Sequence, residues 1–465
     1  MNTIAIIGGG ITGLTAAFRL RQRGIGVTVY EAGQHLGGVI RTVQRDGYTV
    51  ECGPGSILET SPKIAELVHD LGLDARRHYS SNTSARNFIL RGGRLIAVPK
   101  TPVEFLTTRL FSPLAKLRAG CEPLISRSSG TMEENVASFV KRRLGGEFLK
   151  YAIDPFVSGI YAGDPARLSV RHAFPKLAEV EKRYGSLFLG QFLGKRERNR
   201  RAEKSAQKAR KFSFDQGLGV LTQGLAERLG DSIRTRAKVM ALRRSGSSWI
   251  VQTDGYDEPM EHSAVILAAP AHKLAQIDLD CRTEYSLAPL SGIYHPPVAT
   301  VALGFRREDV GNALDGFGFL VPRSEHLQIL GATFSSSIYE GRAPAGNVLV
   351  TTFLGGCRNP ESALNEPGKL IDMAMSDLRK VLAIKGSETF AYCTCYQRAI
   401  PQYEIGYGRY KLLMKNIEQH LPGLFFAGSY RDGISLGNSI VSGYGAADRG
   451  GRYFRAGGLP VTSAA

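Results

Sequence analysis

The sequence lacks the long apolar runs and the cysteine patterns by which membrane-spanning and secreted proteins are recognised. No stretch approaches the roughly 18 consecutive apolar residues that a spanning helix needs. The N-terminus has no basic segment, and glycines interrupt its apolar stretch, so it does not resemble a signal peptide. The six cysteines are scattered and have no C-x-x-C spacing, which favours reduced thiols. We therefore predict a cytoplasmic protein.

Signatures of metal-dependent chemistry are also missing. The sequence contains neither an H-E-x-x-H pair nor cysteines at metal-binding spacing. Its nine histidines are scattered, and a lone one such as His172 or His295 is typically a hydrogen-bonded structural group. These absences predict no metal site.

Basic residues are in excess, and the excess is partly local. The net charge is +17, and the run Lys195–Lys211 holds nine basic residues and two acids. Such a run is typical of a solvated loop or helix face. It also suits an anionic membrane surface, so the protein would bind peripherally to the inner face of the plasma membrane. No aromatic residue interleaves the run and no nucleic-acid motif occurs, so we expect no nucleic-acid partner. A homodimer is left open.

The first strand, turn and helix carry the most informative local motif. The apolar segment Ile4–Ile7 enters a G-x-G-x-x-G turn at Gly8, Gly10 and Gly13, and an amphipathic helix follows. In a dinucleotide site the first glycine permits the turn, the second lets backbone amides approach a pyrophosphate, and the third lets helix and strand pack closely. A second apolar strand ends on Glu31, where a carboxylate would bind a ribose hydroxyl. The motif therefore predicts a dinucleotide-binding βαβ unit.

A second glycine turn helps to identify the dinucleotide. Gly37 and Gly38 follow Glu31 closely, and Arg41 adds a cation beside them. A nicotinamide enzyme does not need this element, whereas a flavin enzyme must position a longer cofactor that ends in a large ring. The loop Gly53–Ser56 is compact enough to lie against such a ring. The pattern therefore predicts FAD.

The order of strand-like and helix-like segments predicts an α/β fold. We expect a Rossmann-like FAD-binding domain interleaved with a mixed-sheet substrate domain and a helical insertion. Met132–Leu144 predicts the clearest amphipathic helix of that insertion, and Gly316–Pro322 predicts a strand of the substrate domain. We predict that residues 1–85, 212–280 and 391–465 form the FAD-binding domain. Residues 86–211 would form a substrate strand and the mainly helical insertion, which is the candidate for membrane contact. Residues 281–390 would form the substrate-binding sheet.

Several segments together resemble one known family. The N-terminal motif, Leu36–Thr42 and Phe425–Gly443 are similar to FAD-containing amine oxidases. Within that superfamily, the middle segments Ala152–Pro165 and Gly316–Pro322 resemble the oxygen-dependent protoporphyrinogen and coproporphyrinogen oxidases. The resemblance covers nearly the whole chain, and I-Y-A-G-D-P and G-F-G-F-L-V-P are its most specific motifs.

The resemblance, together with the second glycine turn, implies a set of contacts for the cofactor and another for the substrate. The FAD contacts would be Gly8, Gly10, Gly13, Glu31, Gly37, Gly38, Arg41, Gly53, Ser56, Val239, Ile434, Ser435 and Leu436. Val239 corresponds to a backbone contact with the adenine, and the last three correspond to the segment that lies along the flavin ring. Gly159 corresponds to a glycine whose carbonyl faces the pyrrole N–H groups of the substrate. The apolar residues that enclose the macrocycle would be Phe317, Leu320 and Phe353.

One position departs from the family. Mitochondrial members carry an arginine directly before an F-x-x-x-G-G strand, where it pairs with a substrate propionate. This chain has Asn87 there, and its nearest arginines are Arg86 and Arg91. Arg86 is the remaining candidate for substrate binding, although neighbouring strand residues point to opposite faces. The residues that pair with the propionates are therefore left open.

The implied activity is the oxidation of a porphyrinogen to a porphyrin in haem biosynthesis, in which FAD passes six electrons to O2 and H2O2 forms. We expect protoporphyrinogen IX as the substrate, and coproporphyrinogen III is the alternative. An amine oxidase or a carotenoid desaturase of the same superfamily is a further alternative, as is a basic flavoprotein without turnover. An amine oxidase often shows a catalytic lysine and an aromatic cage beside the flavin, and we identify neither here.

Overall fold

The computed structural model describes residues 3–81, 83–127, 133–193, 209–255, 258–280 and 285–457. Most of the basic run 195–211 lies outside these residues. No helix within the described ranges has both the length and the apolar character that crossing a membrane requires. The cysteines in these ranges carry free thiols.

The strands, in chain order, are β1 (Thr3–Ile7), β2 (Gly26–Tyr30), β3 (Thr42–Arg45), β4 (Tyr48–Glu51), β5 (Ile57–Leu58), β6 (Arg77–Tyr79), β7 (Asn87–Arg91), β8 (Arg94–Ala97), β9 (Lys211–Phe214), β10 (Ile233–Arg234), β11 (Lys238–Ser245), β12 (Ser248–Asp254), β13 (Met260–His262), β14 (Ala264–Leu267), β15 (Asp278–Asp280), β16 (Val298–Arg306), β17 (Gly318–Leu320), β18 (Ile329–Thr333), β19 (Asn347–Gly355), β20 (Phe390–Tyr396) and β21 (Leu424–Phe426). The α-helices are α1 (Ile11–Gln22), α2 (Pro62–Asp70), α3 (Pro102–Thr107), α4 (Pro113–Gly120), α5 (Val136–Arg143), α6 (Gly146–Phe148), α7 (Asp154–Tyr161), α8 (Val170–Ala173), α9 (Pro175–Tyr184), α10 (Leu187–Leu193), α11 (Gly219–Leu229), α12 (Ala271–Leu274), α13 (Ser335–Ile338), α14 (Pro367–Leu382), α15 (Gly408–His420), α16 (Ser429–Asp432) and α17 (Leu436–Arg455).

A five-stranded parallel sheet forms the centre of one layer, with the strand order β10-β2-β1-β14-β21. Ile4 of β1 pairs with Val27 of β2 and with Ala264 of β14. The central strands are apolar at consecutive positions because both faces of the sheet are covered. Helices α1 and α17 pack closely on one face, since a side chain at Gly443 would lie 2.6 Å from the Thr12 carbonyl oxygen. This sheet confirms the two strands predicted on either side of the first glycine turn and its helix.

A seven-stranded mixed sheet forms the second layer, in the order β20-β16-β19-β18-β17-β7-β8. One face packs on α14. The other face meets the segment that follows β4, where the Thr300 hydroxyl donates a hydrogen bond to the Cys52 carbonyl oxygen at 3.0 Å. Strand β20 pairs with β16 from Phe390 to Tyr396. The predicted domain boundary between residues 390 and 391 is therefore corrected, because pairing with β16 places β20 in the seven-stranded sheet. The other domain boundaries stay predictions.

Helices α3 to α10 form an insertion between β8 and β9. The predicted helix 132–144 is shorter, because Asn135 caps α5 and the helix begins at Val136; Met132 lies outside the described residues. The buried guanidinium of Arg143 pairs with the buried carboxylate of Glu122 at 3.1 Å. Breaking such a pair would leave a buried charge without a partner, so the pair ties α5 to the neighbouring turn.

Candidate cofactor and substrate site

The first glycine turn closes tightly at the carboxyl edge of the parallel sheet. Gly8 has a φ of +110°, and an added Cβ would lie 2.7 Å from the Ala269 backbone nitrogen. A Cβ on Gly13 would lie 2.0 Å from the Gly8 carbonyl oxygen. Both positions exclude a side chain, because the atoms that it would meet belong to the backbone. The turn thereby holds the start of α1 against the end of β1.

The N-terminus of α1 is open. Gly10 is its N-cap, and the first turn has neither a side-chain cap nor an acidic residue. An added Cβ at Gly10 would meet no atom of the described residues within 4 Å. Uncapped N–H groups and the helix dipole favour an anion at such a position. The donors and the open space fit the pyrophosphate of a dinucleotide.

Glu31 follows β2 and directs its carboxylate toward the glycine turn. Its Oε2 accepts a hydrogen bond from the Gly9 N–H at 2.8 Å, and its Oε1 accepts one from the Gly33 N–H at 2.8 Å. Each oxygen keeps a second lone pair, so the carboxylate can also accept from ribose hydroxyls. The Ala237 N–H donates to the Glu31 carbonyl oxygen at 2.9 Å, just before β11. The Val239 side chain on that strand is buried, so a ligand at this position would meet backbone atoms.

The second glycine turn packs directly on the first. The Gly37 N–H donates to the Gly9 carbonyl oxygen at 2.8 Å, and a Cβ on Gly38 would lie 3.4 Å from the Gly10 Cα. The exposed guanidinium of Arg41 has no hydrogen-bond or ion-pair partner in the described part of the chain. The structure thus brings the two glycine turns together, and a contact of Arg41 with the cofactor stays a prediction.

Contacts from distant parts of the chain hold the loop Gly53–Ser56. A Cβ on Gly53 would lie 2.5 Å from the Val39 carbonyl oxygen. The Ser56 Oγ accepts a hydrogen bond from the Tyr339 hydroxyl at 2.9 Å. Burial raises the pKa of Tyr339 to about 12, so its hydroxyl remains a donor at neutral pH. Sequence reasoning missed Tyr339, because no local pattern connects residues so far apart.

The segment Ile434–Leu436 is held where α17 begins. The Gly433 N–H donates to the Tyr403 hydroxyl at 2.9 Å, and burial raises the pKa of Tyr403 far above its usual value. Leu436 is buried in the core beneath α1, so a ligand would meet its backbone rather than its side chain. Tyr403 is a second positioning residue that the sequence pattern did not reveal.

The letters of residues 433–437 also match G-x-S-x-G, which in α/β hydrolases places a nucleophilic serine on a strand-to-helix elbow. Here Ser435 follows the short helix α16 rather than a strand. Its Oγ accepts a hydrogen bond from the Asn438 N–H at 3.1 Å, as an N-cap does. No hydrogen bond joins it to a histidine within the described residues. The geometry is that of a helix cap.

Two of the candidate substrate residues share one face of the seven-stranded sheet. Leu320 of β17 pairs with Gly331 of β18, and Gly331 pairs with Phe353 of β19. Leu320 and Phe353 are both half-buried, and Phe353 packs beside Ala162 at the end of α7. We call the residues Leu320, Gly331 and Phe353 the apolar row. The row offers a partly exposed apolar surface.

Gly159 of α7 lies against the apolar row. A Cβ at this position would lie 2.3 Å from Cδ2 of Leu320, so Gly159 lets the helix approach the sheet. Gly159 is among the last residues of α7, whose carbonyls have no intrahelical partner. The Gly163 N–H, which would bond to it in a longer helix, donates instead to the Val157 carbonyl oxygen at 3.3 Å. Within the described residues the Gly159 carbonyl therefore accepts no backbone hydrogen bond, which leaves it as an acceptor for a ligand beside an apolar surface.

Phe317 lies just before β17, among cationic side chains. Its N–H donates to the Arg86 carbonyl oxygen at 2.7 Å, and the Lys211 Nζ lies 3.6 Å from the centroid of its ring. The exposed Arg86 guanidinium pairs with Asp315 at 3.1 Å. Asn87 pairs with Gly318, two residues before Leu320, so Asn87 lies on the same face of the sheet as the apolar row. Arg86 precedes this strand. Substrate binding by Arg86 stays a prediction, and one that this position does not favour.

The fold and the site together define a class of protein. The chain has a parallel sheet, an uncapped helix N-terminus at the carboxyl edge of that sheet, and a carboxylate after the second strand. This is the arrangement of a Rossmann-type dinucleotide-binding protein. The second glycine turn adds backbone beside the first turn, and the apolar row adds a half-buried apolar surface on a second sheet. The family of flavin containing amine oxidoreductases matches residues 11–449, and the chain belongs to this family. It is an oxidoreductase whose cofactor is FAD.

Individual relatives cover nearly the whole chain. Protoporphyrinogen oxidase 2, chloroplastic/mitochondrial, of Arabidopsis thaliana is 33% identical over 96% of this chain and 93% of the relative. Coproporphyrinogen III oxidase of Bacillus subtilis is 30% identical over 95% of this chain and 96% of the relative. A crystal structure from Exiguobacterium sp. 255-15, provisionally named a protoporphyrinogen oxidase, superposes with a TM-score of 0.79 at 25% identity, covering 96% of this chain and 98% of that chain.

Proposed function

We propose that the protein is an oxygen-dependent porphyrinogen oxidase of haem biosynthesis and that its substrate is protoporphyrinogen IX. The observation that carries this proposal is the half-buried apolar row with the free Gly159 carbonyl beside it. A large flat macrocycle needs apolar faces to bind and a few polar groups to orient it. The 33% identity to a named protoporphyrinogen oxidase supports this substrate. Coproporphyrinogen III is the alternative, supported by a relative that is 30% identical.

The proposed FAD site follows the geometry from the adenosine end to the ring. Glu31 would bind the ribose, and the open N-terminus of α1 would bind the pyrophosphate. The residues that we propose to contact FAD are Gly8, Gly10, Gly13, Glu31, Gly37, Gly38, Arg41, Gly53, Ser56, Val239, Ile434, Ser435 and Leu436. When bound, FAD would accept electrons from the substrate and deliver them to O2.

The protein residues would contribute position and a dry environment rather than a nucleophile. Leu320 and Phe353 would lie against the macrocycle and exclude water from it, and the Gly159 carbonyl would accept a hydrogen bond from pyrrole N–H groups. Conversion of a porphyrinogen to a porphyrin removes six electrons and six protons in three two-electron steps. One O2 is reduced to one H2O2 in each step, so three O2 are consumed per porphyrin.

The insertion would also contact an anionic membrane surface. Its first two helices and the following turn expose large apolar side chains. These are Val103 (70% exposed), Leu106 (68%), Leu114 (76%), Leu117 (66%) and Leu124 (84%). An exposed apolar patch of this kind typically marks an interaction site. The net charge of +17 favours anionic lipid over a second copy of the same chain, which would carry the same charge.

An anaerobic half-reaction tests the proposed chemistry directly. FAD-loaded protein mixed with protoporphyrinogen IX should lose its oxidised-flavin absorbance, and admission of O2 should restore that absorbance. The same experiment with coproporphyrinogen III compares the two substrates by their rate constants. Bleaching by simple amines but by neither porphyrinogen would reject the proposal in favour of an amine oxidase.

A further inference from the structure

Two adjacent buried residues, Gln402 and Tyr403, contact both parts of the candidate site. They follow β20 in a segment without regular secondary structure, and they are 1% and 3% exposed. The Gln402 N–H donates to the Tyr294 carbonyl oxygen at 2.9 Å. The Tyr403 carbonyl oxygen accepts from the Ser169 N–H at 2.8 Å. The two side chains therefore extend from one stretch of backbone that is fixed on both sides.

The Tyr403 hydroxyl holds both ends of α16. It donates to the Ser429 carbonyl oxygen at 2.5 Å and accepts from the Gly433 N–H at 2.9 Å. Ser429 begins α16, and Gly433 follows its last residue. The segment Ile434–Leu436, which we propose to lie along the flavin ring, continues directly from Gly433. The hydroxyl thereby fixes the point at which this segment starts.

The Gln402 amide holds the end of α7. Its Nε2 donates to the carbonyl oxygens of Tyr161, at 2.7 Å, and of Ile400, at 3.0 Å. Tyr161 is the last residue of α7 and lies two residues, about 3 Å of helix rise, beyond Gly159. Ala162 then has a φ of +50°, a left-handed conformation that residues with a Cβ adopt only with support from their surroundings. The amide therefore fixes the last turn of the helix that presents the Gly159 carbonyl.

The other atom of the amide argues against a role in packing alone. The Gln402 Oε1 is buried and accepts no hydrogen bond from the described residues, which is unfavourable for a buried polar atom. A methionine would fill a similar volume without this cost. What the amide adds at this position is the pair of bonds that it donates to Tyr161 and Ile400.

We propose that Gln402 and Tyr403 act together as positioning residues, which hold the Gly159 carbonyl and the segment Ile434–Leu436 at a fixed separation and angle. A substrate oriented by the carbonyl would then be aligned with a ring held along the segment. Such alignment affects rate more than affinity, because a displacement of about 1 Å can slow a reaction by about 100-fold. This inference rests on the proposed function, from which both contacts are taken.

Removal of the hydrogen bonds without a large change of volume tests the inference. Gln402→Met removes both amide donors, Tyr403→Phe removes the hydroxyl, and a double variant removes all of them. Each FAD-loaded protein is mixed anaerobically with protoporphyrinogen IX at several concentrations, which gives the limiting rate constant of flavin reduction and the Kd. Each single variant should lower the rate constant by about tenfold or more and leave the Kd within about threefold. The double variant should lose no more than the slower single variant, because either change breaks the same connection.

Product binding gives a readout without turnover. Protoporphyrin IX bound beside the flavin should change the flavin absorbance spectrum, and this change should be smaller in both single variants. The matched controls are Gln223→Met and Tyr410→Phe, which should behave like the wild type. The exposed Gln223 amide donates to the Glu227 carboxylate at 3.0 Å, and the Tyr410 hydroxyl accepts from the Arg409 guanidinium at 2.7 Å.

Three results would overturn the inference. Losses that multiply in the double variant would show two independent contacts. A rise in Kd that accounts for the whole loss would show a binding role, and parallel falls in FAD content and unfolding midpoint would show a packing role. A wild type whose flavin is reduced by neither porphyrinogen would instead reject the proposed function, and the spectral change on protoporphyrin IX binding would then decide the roles of Gln402 and Tyr403.

Discussion

Hydrogen bonding determines which side chains of the site remain available to a ligand. The Ser56 and Ser435 hydroxyls each accept a hydrogen bond from a group of the protein, and each keeps its own O–H as a donor for a ligand. Glu31 differs from them, because its ionised carboxylate accepts two backbone hydrogen bonds and retains capacity for more. The Gly159 carbonyl is available because α7 ends at Tyr161 and the Gly163 N–H donates to the Val157 carbonyl oxygen instead. These residues can be tested one at a time.

Substitution of Glu31 tests the proposed ribose contact. Glu31→Gln keeps the size of the side chain but removes its charge, and a hydrogen bond to a charged group contributes about 1.5–3 kcal/mol. We expect FAD to bind the apoprotein about 10 to 100 times more weakly, as measured by flavin fluorescence titration. Glu227→Gln is the matched control, because that exposed carboxylate accepts a hydrogen bond from the Gln223 side chain at 3.0 Å and from no other group of the described residues. Unchanged FAD affinity in Glu31→Gln would rule out the contact.

Substitution of Phe353 tests the apolar row. Phe353→Ala removes a face of the proposed macrocycle site, and burial of such a side chain contributes about 1.5–3 kcal/mol. KM for protoporphyrinogen IX should rise by about tenfold or more, while the FAD content of the purified protein should stay the same. Phe353→Leu, which keeps an apolar side chain, should recover most of the affinity. Flavin loss in proportion to the rise in KM would instead show that Phe353 packs the core.

At the scale of secondary structure, the sequence predicts local units well and long-range partners poorly. The unit of β1, α1 and β2 with Glu31 is contiguous, so hydrophobic period and glycine spacing are sufficient to predict it. Tyr339 with Ser56, Tyr403 with Gly433 and Lys211 with Phe317 meet only through the tertiary fold. The edge strand β20 was assigned to the wrong layer for the same reason, because its sequence does not specify which neighbour it pairs with.

Two glycines of one turn should respond differently to alanine. Gly10→Ala places a methyl group in open space at the helix N-terminus, so the free energy of unfolding of the apoprotein should change by less than about 0.5 kcal/mol. The same methyl group would obstruct a pyrophosphate and weaken FAD binding by about tenfold or more. Gly8→Ala should destabilise the fold itself by about 1–3 kcal/mol, since its φ is +110° and the Ala269 backbone is close. Chemical denaturation and FAD titration measure the two effects, and normal FAD affinity in Gly10→Ala would contradict the phosphate assignment.

On the scale of the whole molecule, three surfaces have separate roles in the proposed function. The carboxyl edge of the parallel sheet would hold FAD, and the inward face of the seven-stranded sheet would hold the macrocycle. The insertion would bring this site to a membrane through its exposed leucines. The sequence predicted an insertion with a basic run, but the exposed apolar residues of α3 and α4 became apparent only when the structure showed which of their side chains face solvent.

Vesicle binding tests the membrane surface. The double variant Leu114→Gln, Leu117→Gln removes two exposed leucines from one side of α4 and should weaken binding to anionic vesicles by about tenfold or more. Leu364 and Leu412 are 54% and 58% exposed outside the insertion, so the variant Leu364→Gln, Leu412→Gln is the matched control and should bind like the wild type. Equal losses in both variants, or dimerisation through α4 without vesicle binding, would refute a specific membrane surface.

Aerobic turnover with a full product balance tests the central proposal most directly. Purified FAD-loaded protein is incubated with protoporphyrinogen IX and, separately, with coproporphyrinogen III, while porphyrin fluorescence and H2O2 are followed against an autoxidation control. We expect porphyrin to form well above the control with at least one substrate, protoporphyrinogen IX being preferred, and three H2O2 to appear per porphyrin. No increase in fluorescence above autoxidation with either porphyrinogen would contradict the proposed function.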